Sequence, residues 1–167
     1  MDCESERMKH VNEIIRHPAY KEALAEIAIR EENRIFCRHD TDHFMNVARI
    51  AMILNLEEGK EVKKDLIYAT ALLHDIGRHI QYDDKTPHEI ASAELAEPIL
   101  KDCGFRKKEI QQIIQAILLH RSQKEAKKHD LADVIYRADK LSRECYFCRA
   151  SEICDWKKNK KNNELKY

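Results

Sequence analysis

Glycine and proline are scarce, three of each in 167 residues, so few sharp turns can interrupt the chain. Charge of one sign is missing too: 30 Lys and Arg balance 30 Asp and Glu. That balance excludes a general electrostatic grip on nucleic acid or an anionic membrane, though not a local basic site. No uncharged run approaches the length that spans a bilayer. The first ten residues, MDCESERMKH, carry no apolar signal core, so a cytoplasmic protein is expected. There the six cysteines would be thiols rather than disulfides. No internal repeat occurs, and low complexity is confined to the tail KKNKKNNELKY (157–167), which reads as polar and disordered.

What is present favours helix. Ala, Leu, Glu, Lys and Ile dominate, and all but Ile are strong helix formers. With 43% hydrophobic residues the chain can bury a real core, and its length predicts one domain over residues 1–156. The expected class is all-α, a bundle of about seven helices. They are read over residues 4–16, 18–32, 41–57, 60–76, 86 to Gly104, 106–119 and 130–143. Pro18 opens the second, and Gly77 and Gly104 stop the fourth and fifth. Thr86, Pro87 and Glu89 start the fifth as N-cap, N1 proline and capping box. RHIQYDDK (78–85) and RSQKEAKKHD (121–130) read as loops, with Asp130 capping the last helix.

Six acidic or imidazole side chains then fall where apolar ones belong. Residues three, four and seven apart share a helix face. On that spacing His43 lines up with Val47, Ile50 and Leu54, His74 with Ile67, Thr70 and Ala71, and His88 with Ala91 and Leu95. His120 follows Ile113 and Ile117, and Asp139 follows Ala132 and Ile135. Asp75 adjoins His74 at the end of the apolar run ALLHDIGRH (71–79). One histidine on such a face is most often a satisfied core residue. Four histidines and two carboxylates on five helices are harder to explain that way, because an unpaired buried carboxylate is rarely tolerated. Imidazole and carboxylate are ligands for divalent cations, and a metal would explain all six together.

The strings HFMNVARIA (43–51), ALLHDIGR (71–78) and YRADKLS (136–142) together resemble the motif of the HD-domain metal-dependent phosphohydrolases. The likeness covers about residues 35–145. It implies a helical bundle around a metal centre that cleaves phosphoester or phosphoanhydride bonds, often in nucleotides. His88 and His120 fall between the paired motif and the last aspartate, as in the two-metal branch, His…His-Asp…His…His…Asp. That analogy implies one ion on His43, His74, Asp75 and Asp139, and a second on His88 and His120, bridged by Asp75. The symmetric diadenosine tetraphosphate hydrolases share this arrangement. So does the cyclic-di-GMP phosphodiesterase branch, but its Gly-Tyr-Pro signature is absent, which argues against that substrate.

Divalent ions make hydroxide available near neutral pH and polarise a phosphoryl oxygen, so Asp75 is expected to orient the nucleophile. Histidine and carboxylate ligands suit iron, manganese, cobalt, nickel or zinc better than magnesium. A phosphate substrate also needs cations beside the metal, and Arg78, Lys85, Arg121 and Lys140 are candidates. Arg78 and Lys140 are favoured, because their ligand neighbours locate them; with Asp75 they form the expected catalytic set. At 36% charged residues, each cation reads otherwise as a solvated surface charge. His39 reads as a lead-in to the third helix and His79 as a loop residue able to line a pocket. His10, His17 and His129 read as surface.

Cys145, Cys148 and Cys154 follow as C-x2-C-x5-C, outside the standard zinc patterns. Three thiols this close in a reducing compartment still suggest zinc or an iron–sulfur cluster. If His43 and Asp139 meet on antiparallel helices, six residues outward puts Cys37 and Cys145 on one side, making Cys37 the fourth ligand. Cys3 and Cys103 carry no assignment. The leading expectation is a phosphohydrolase for a small phosphorylated molecule, a nucleotide in first place. The competing one is a non-catalytic metal- or redox-responsive ligand-binding module, with the cysteines as its responsive element.

Overall fold

The computed structural model describes residues 8–167. Residues 4–7 of the first expected helix, and Cys3, lie outside the described residues. Within them the fold is all-helical, without a strand. The order is α1 (Lys9–Arg16), α2 (Pro18–Arg30), α3 (Thr41–Glu57), α4 (Lys64–Leu73) and α5 (Arg78–Asp84). Then come α6 (His88–Asp102), α7 (Lys107–Leu119), the one-turn α8 (Gln123–Ala126) and α9 (Asp130–Leu141). Two 3-10 turns, Cys145–Phe147 and Lys158–Lys160, complete the chain. α3 packs on α4 and α9, α7 on α6, α9 and α4, and α5 on α6 and α2. Phe44, Ile67, Leu73, Ile76, Ile113, Ile117 and Ile135 are fully buried in one continuous core. Each such side chain contributes about 1.5–3 kcal/mol by leaving water.

Local chemistry sets where each helix begins and stops. Asp40 caps α3, its carboxylate accepting the His43 N–H at 2.9 Å, which fixes His43 in the first turn. The next helix starts later than expected. Gly59 turns left-handed (φ +61°), and the Asn55 amide then clasps Val62, donating to its carbonyl at 3.2 Å and accepting its N–H at 3.1 Å. That clasp leaves residues 60–63 without helical structure ahead of α4. α4 stops at Leu73, and His74–Gly77 form a turn into α5, where a loop was expected.

Gly77 follows α4 without turning left-handed, since its φ is −82°. It is required by proximity. A Cβ there would lie 2.4 Å from the Ser92 nitrogen and 2.7 Å from the Ala91 carbonyl carbon. This contact seats the His74–Gly77 turn on α6, where the Ser92 hydroxyl accepts the Gly77 N–H at 2.9 Å. The expected capping box does not form either. Pro87 is the N-cap of α6, and the Thr86 N–H goes to Asp84 Oδ1 at 2.9 Å. Asp130 is the first residue of α9 rather than its cap, and with Asp133 it receives Lys60 Nζ at 3.1 and 3.0 Å. The tail expected to be disordered is tied down by Asn162, whose amide donates to the carbonyls of Lys140 and Arg143 at 2.8 Å each.

Replacing Gly77 with Ala should therefore cost about 1–3 kcal/mol, the usual range for overpacking. A denaturation midpoint equal to that of the parent protein would contradict the close approach of the turn to α6.

Candidate metal centre

His74 and Asp75 project from the break between α4 and α5, and the other helix ends close around them. His43 comes from the start of α3, His88 from the first residue of α6, His120 from the position just after α7, and Asp139 from α9. All six are buried, His74 completely and Asp75 to 1% exposure. One ligating atom each from His43, His74, Asp75 and Asp139 lies within 4.8 Å of the others, and the same holds for Asp75, His88 and His120. Asp75 belongs to both groups. Its Oδ2 lies 3.3 Å from His74 Nε2 and 3.8 Å from His43 Nε2. Its Oδ1 lies 3.1 Å from His88 Nε2 and 3.6 Å from His120 Nε2. Asp139 Oδ1 closes the first group, 3.3 Å from His43 Nε2 and 3.7 Å from His74 Nε2.

The opposite nitrogen of every ring is already committed. His74 Nδ1 donates to the Ala71 carbonyl at 2.7 Å, and His120 Nδ1 to the Ile117 carbonyl at 2.6 Å. His88 Nδ1 donates to Gln81 Oε1 at 2.9 Å. The Ser142 hydroxyl donates to the Asp139 carbonyl at 2.8 Å and so accepts from His43 Nδ1 at 3.2 Å. In the neutral rings, with the proton on Nδ1, each Nε2 turns a lone pair inward. Acceptor then faces acceptor. His43 Nε2, His74 Nε2 and Asp75 Oδ2 are buried with no hydrogen-bond partner, and the Nε2 atoms of His88 and His120 face each other at 3.1 Å. Two ligands about 2.1 Å from one ion lie about 3.0–3.4 Å apart at octahedral or tetrahedral angles. The spacings and the orphaned atoms fit divalent cations.

Electrostatics agree. Burial disfavours the charge on Asp75, yet His74 and Arg78 hold its carboxyl well below the usual range. Asp139 is held low against burial by His43, His74 and Lys140. Burial would also suppress charge on His74, but Asp75 and Asp139 outweigh it and raise the imidazole to about 9. The two anions thus attract a proton wherever no dication serves them. His88, dominated by its burial, is pushed down to about 4 and is neutral at physiological pH.

The expected cations divide. Arg78 Nε lies 3.3 Å from Asp75 Oδ1, and the Lys140 ammonium binds Asp139 Oδ2. Arg121 is exposed, 3.5 Å from Glu89. Lys85 is exposed at the left-handed end of α5 and is not among the residues lining the cavity that reaches His88. Cys37, Cys145, Cys148 and Cys154 line a neighbouring cavity, but no three of their sulfurs come within 4.8 Å of one another.

His39 is not the simple lead-in that its position suggested. It is 3% exposed, and its Nε2 lies 3.7 Å from Asp75 Oδ2. Glu31 orients it, accepting from its Nδ1 at 2.5 Å and from its backbone N–H at 2.8 Å. Tyr82 also donates to Glu31, at 2.5 Å. Burial would raise the Glu31 carboxyl, but these bonds hold it down at about 2. His39 stands four residues before His43, a spacing visible in the sequence. Glu31 and Arg143, the latter buried beside Asp139, gave no such signal. His79 turns its Nδ1 to the Ile76 carbonyl at 2.9 Å, and His10 is half-buried against Cys103 O.

A family model described as HD domain matches residues 41–144. The chain belongs to the HD domain family. Members of this family are typically metal-dependent phosphohydrolases. The HD chain is 46% identical over 137 residues to an uncharacterized protein of Clostridium beijerinckii, covering 82% of this chain and 85% of that one. It is 32% identical over 126 residues to ribonuclease Y of Oleidesulfovibrio alaskensis, covering 75% of this chain and 22% of that protein. No solved structure gives a significant match. No described helix is long and apolar enough to cross a membrane.

A charge-based prediction follows for the metal-depleted protein. The His74 imidazole rises from 6.5 to about 9 on folding, so its contribution to stability is complete below pH 6.5 and lost as pH climbs through 9. Denaturation midpoints after chelation should fall across that window, and saturating divalent metal should flatten the curve. A flat curve without metal would contradict the paired anions.

Proposed function

We propose that this HD domain hydrolyses a phosphoester or phosphoanhydride bond in a small phosphorylated molecule, specifically a nucleotide, in the cytoplasm. The observation that carries this reading is a cleft of about 830 Å³ that reaches His88. Arg78, Arg121, Lys140, Lys157 and Lys160 line it, against the single carboxylate of Asp155. In a chain of zero net charge, such a surplus supports binding of an anion there. Tyr136 and Trp156 also line it, and an aromatic side chain there can stack on a base. Ribonuclease Y, by its name, acts on RNA, and the shared segment supports testing phosphodiesters alongside mononucleotides.

His43, His74, Asp75 and Asp139 would hold one divalent ion, and His88, His120 and the far oxygen of Asp75 a second. Iron, manganese, cobalt, nickel and zinc suit this donor set. Such ions, when bound, lower the pKa of a coordinated water to about 7 and polarise a phosphoryl oxygen. The chain supplies the rest. Asp75 sits between the two groups and orients the incoming water. Arg78 is anchored on Asp75 and Gln81, and its fork receives phosphate oxygens beside the centre. Lys140, 5.3 Å from the Tyr136 ring centroid, adds a point charge to the same cleft. His39, steadied by Glu31, is positioned to carry a proton at Nε2.

Metal-loaded protein should turn over part of a nucleotide and phosphodiester panel. Asp75→Ala should lose at least about a thousandfold in kcat while keeping its helical circular dichroism, the several kcal/mol expected of metal-assisted hydrolysis. Full activity in that variant would refute the role. Trp156→Ala should raise KM for a nucleotide by about tenfold and leave a simple alkyl phosphate unaffected. Equal effects on both would remove base stacking. Nucleotide binding without turnover would favour the sensing module instead.

A further inference from the structure

The cysteines play no part in the reaction above. Cys37, Cys145, Cys148 and Cys154, four of the five free cysteines among the described residues, line one cavity of about 300 Å³. All four are half-buried. A free cysteine without special duty packs as a small apolar side chain, as Cys103 does in the core. These four instead converge on open space from two distant stretches, one before α3 and one after α9. Arg143 donates to the Arg38 carbonyl at 3.4 Å and so joins the two stretches, while Arg34 Nε, donating to the Cys37 carbonyl at 2.8 Å, tightens the first of them.

The local turn favours chelation. Cys145–Phe147 is a 3-10 turn, in which side chains three apart eclipse, so Cys145 and Cys148 point the same way. The Cys148 N–H donates to the Cys145 carbonyl at 3.2 Å, and the Ser151 N–H to the Cys148 carbonyl at 3.2 Å. Two successive tight turns thus wrap the C-x2-C pair.

We propose that Cys37, Cys145, Cys148 and Cys154 bind one zinc-class ion as thiolates, at a site separate from the histidine–aspartate centre. Binding forms four metal–sulfur bonds, each thiol gives its proton to solvent, and no electron moves. Tetrahedral thiolate is the donor set that zinc prefers in structural sites. No three of the sulfurs lie within 4.8 Å of one another, so the ion draws residues 145–154 inward. That segment has one 3-10 turn and no α-helix, so the adjustment disturbs little packing. Asp155 and Trp156 come directly after Cys154 and line both this cavity and the basic cleft. The ion would therefore fix one wall of the cleft from behind.

The test reads metal, not turnover, so it stands or falls apart from the hydrolase reading. Protein loaded with cobalt(II) should show a thiolate-to-cobalt charge-transfer band, which imidazole and carboxylate ligands cannot produce. The band should persist in His74→Ala and vanish in Cys37→Ser and Cys148→Ser. Zinc-loaded Cys37→Ser should hold one ion fewer per chain than the parent. In the unmutated protein, zinc should shield four thiols from a disulfide reagent until a chelator is added. A missing band, a band unchanged in Cys37→Ser, or thiols equally reactive with and without zinc would overturn the proposal. Iron with inorganic sulfide in the purified protein would overturn it too.

Discussion

The Asp75 carboxylate has two oxygens, and they face opposite ways. One meets His74 and His43 at 3.3 and 3.8 Å, the other His88 and His120 at 3.1 and 3.6 Å. A buried anion ringed by four imidazoles, with Oδ2 lacking any hydrogen-bond partner, is an arrangement that protein atoms alone leave incompletely satisfied. Much of the architecture exists to hold it there. The turn that carries Asp75 is pressed onto α6 through Gly77, and the helices supplying the histidines end at the same place.

Rigidity comes from the groups behind each ring. Two of the four rings are bound to the carbonyl three residues earlier, one to a hydroxyl itself bound to a carbonyl, and one to Gln81. Phe44 lies beneath, its ring centroid 5.5 Å from that of His74. Ring orientation and tautomer are thus set by main-chain carbonyls, by Ser142 and Gln81, and by the apolar floor, and a cation finds its ligands already aimed. The energy that the core gains by burying α3, α4 and α9 offsets the repulsion stored among the acceptors. Arg78 and Lys140 link the same carboxylates to the cleft, so the groups proposed to receive phosphate and the groups suited to metal are coupled through Asp75 and Asp139.

The inward-facing set was legible because helix periodicity exposes any polar residue on an apolar face. His43, His74, His88, His120 and Asp139 each broke that pattern, and the structure brings them together with Asp75. His39, though spaced four from His43, was read as a lead-in because it precedes the Asp40 cap, and Glu31 gave no signal as the residue just after α2. Gly77 was visible, but a glycine does not announce whether it is needed for a left-handed turn or for lack of a side chain. α5 is polar along its length, and only packing on α6 and α2 makes it a helix. Trp156, Lys157 and Lys160 were hidden in or beside a tail judged by composition. Its anchor, Asn162, binds main-chain carbonyls at the end of α9, partners that no side-chain pattern reveals.

The most direct measurement is anomalous diffraction from crystals grown with manganese or zinc. Two anomalous peaks are expected, one on either side of the Asp75 carboxylate, the first among His43, His74 and Asp139 and the second beside His88 and His120. Density showing the Asp75 side chain turned away, with no anomalous scatterer at either oxygen, would contradict the bridging carboxylate on which everything else rests.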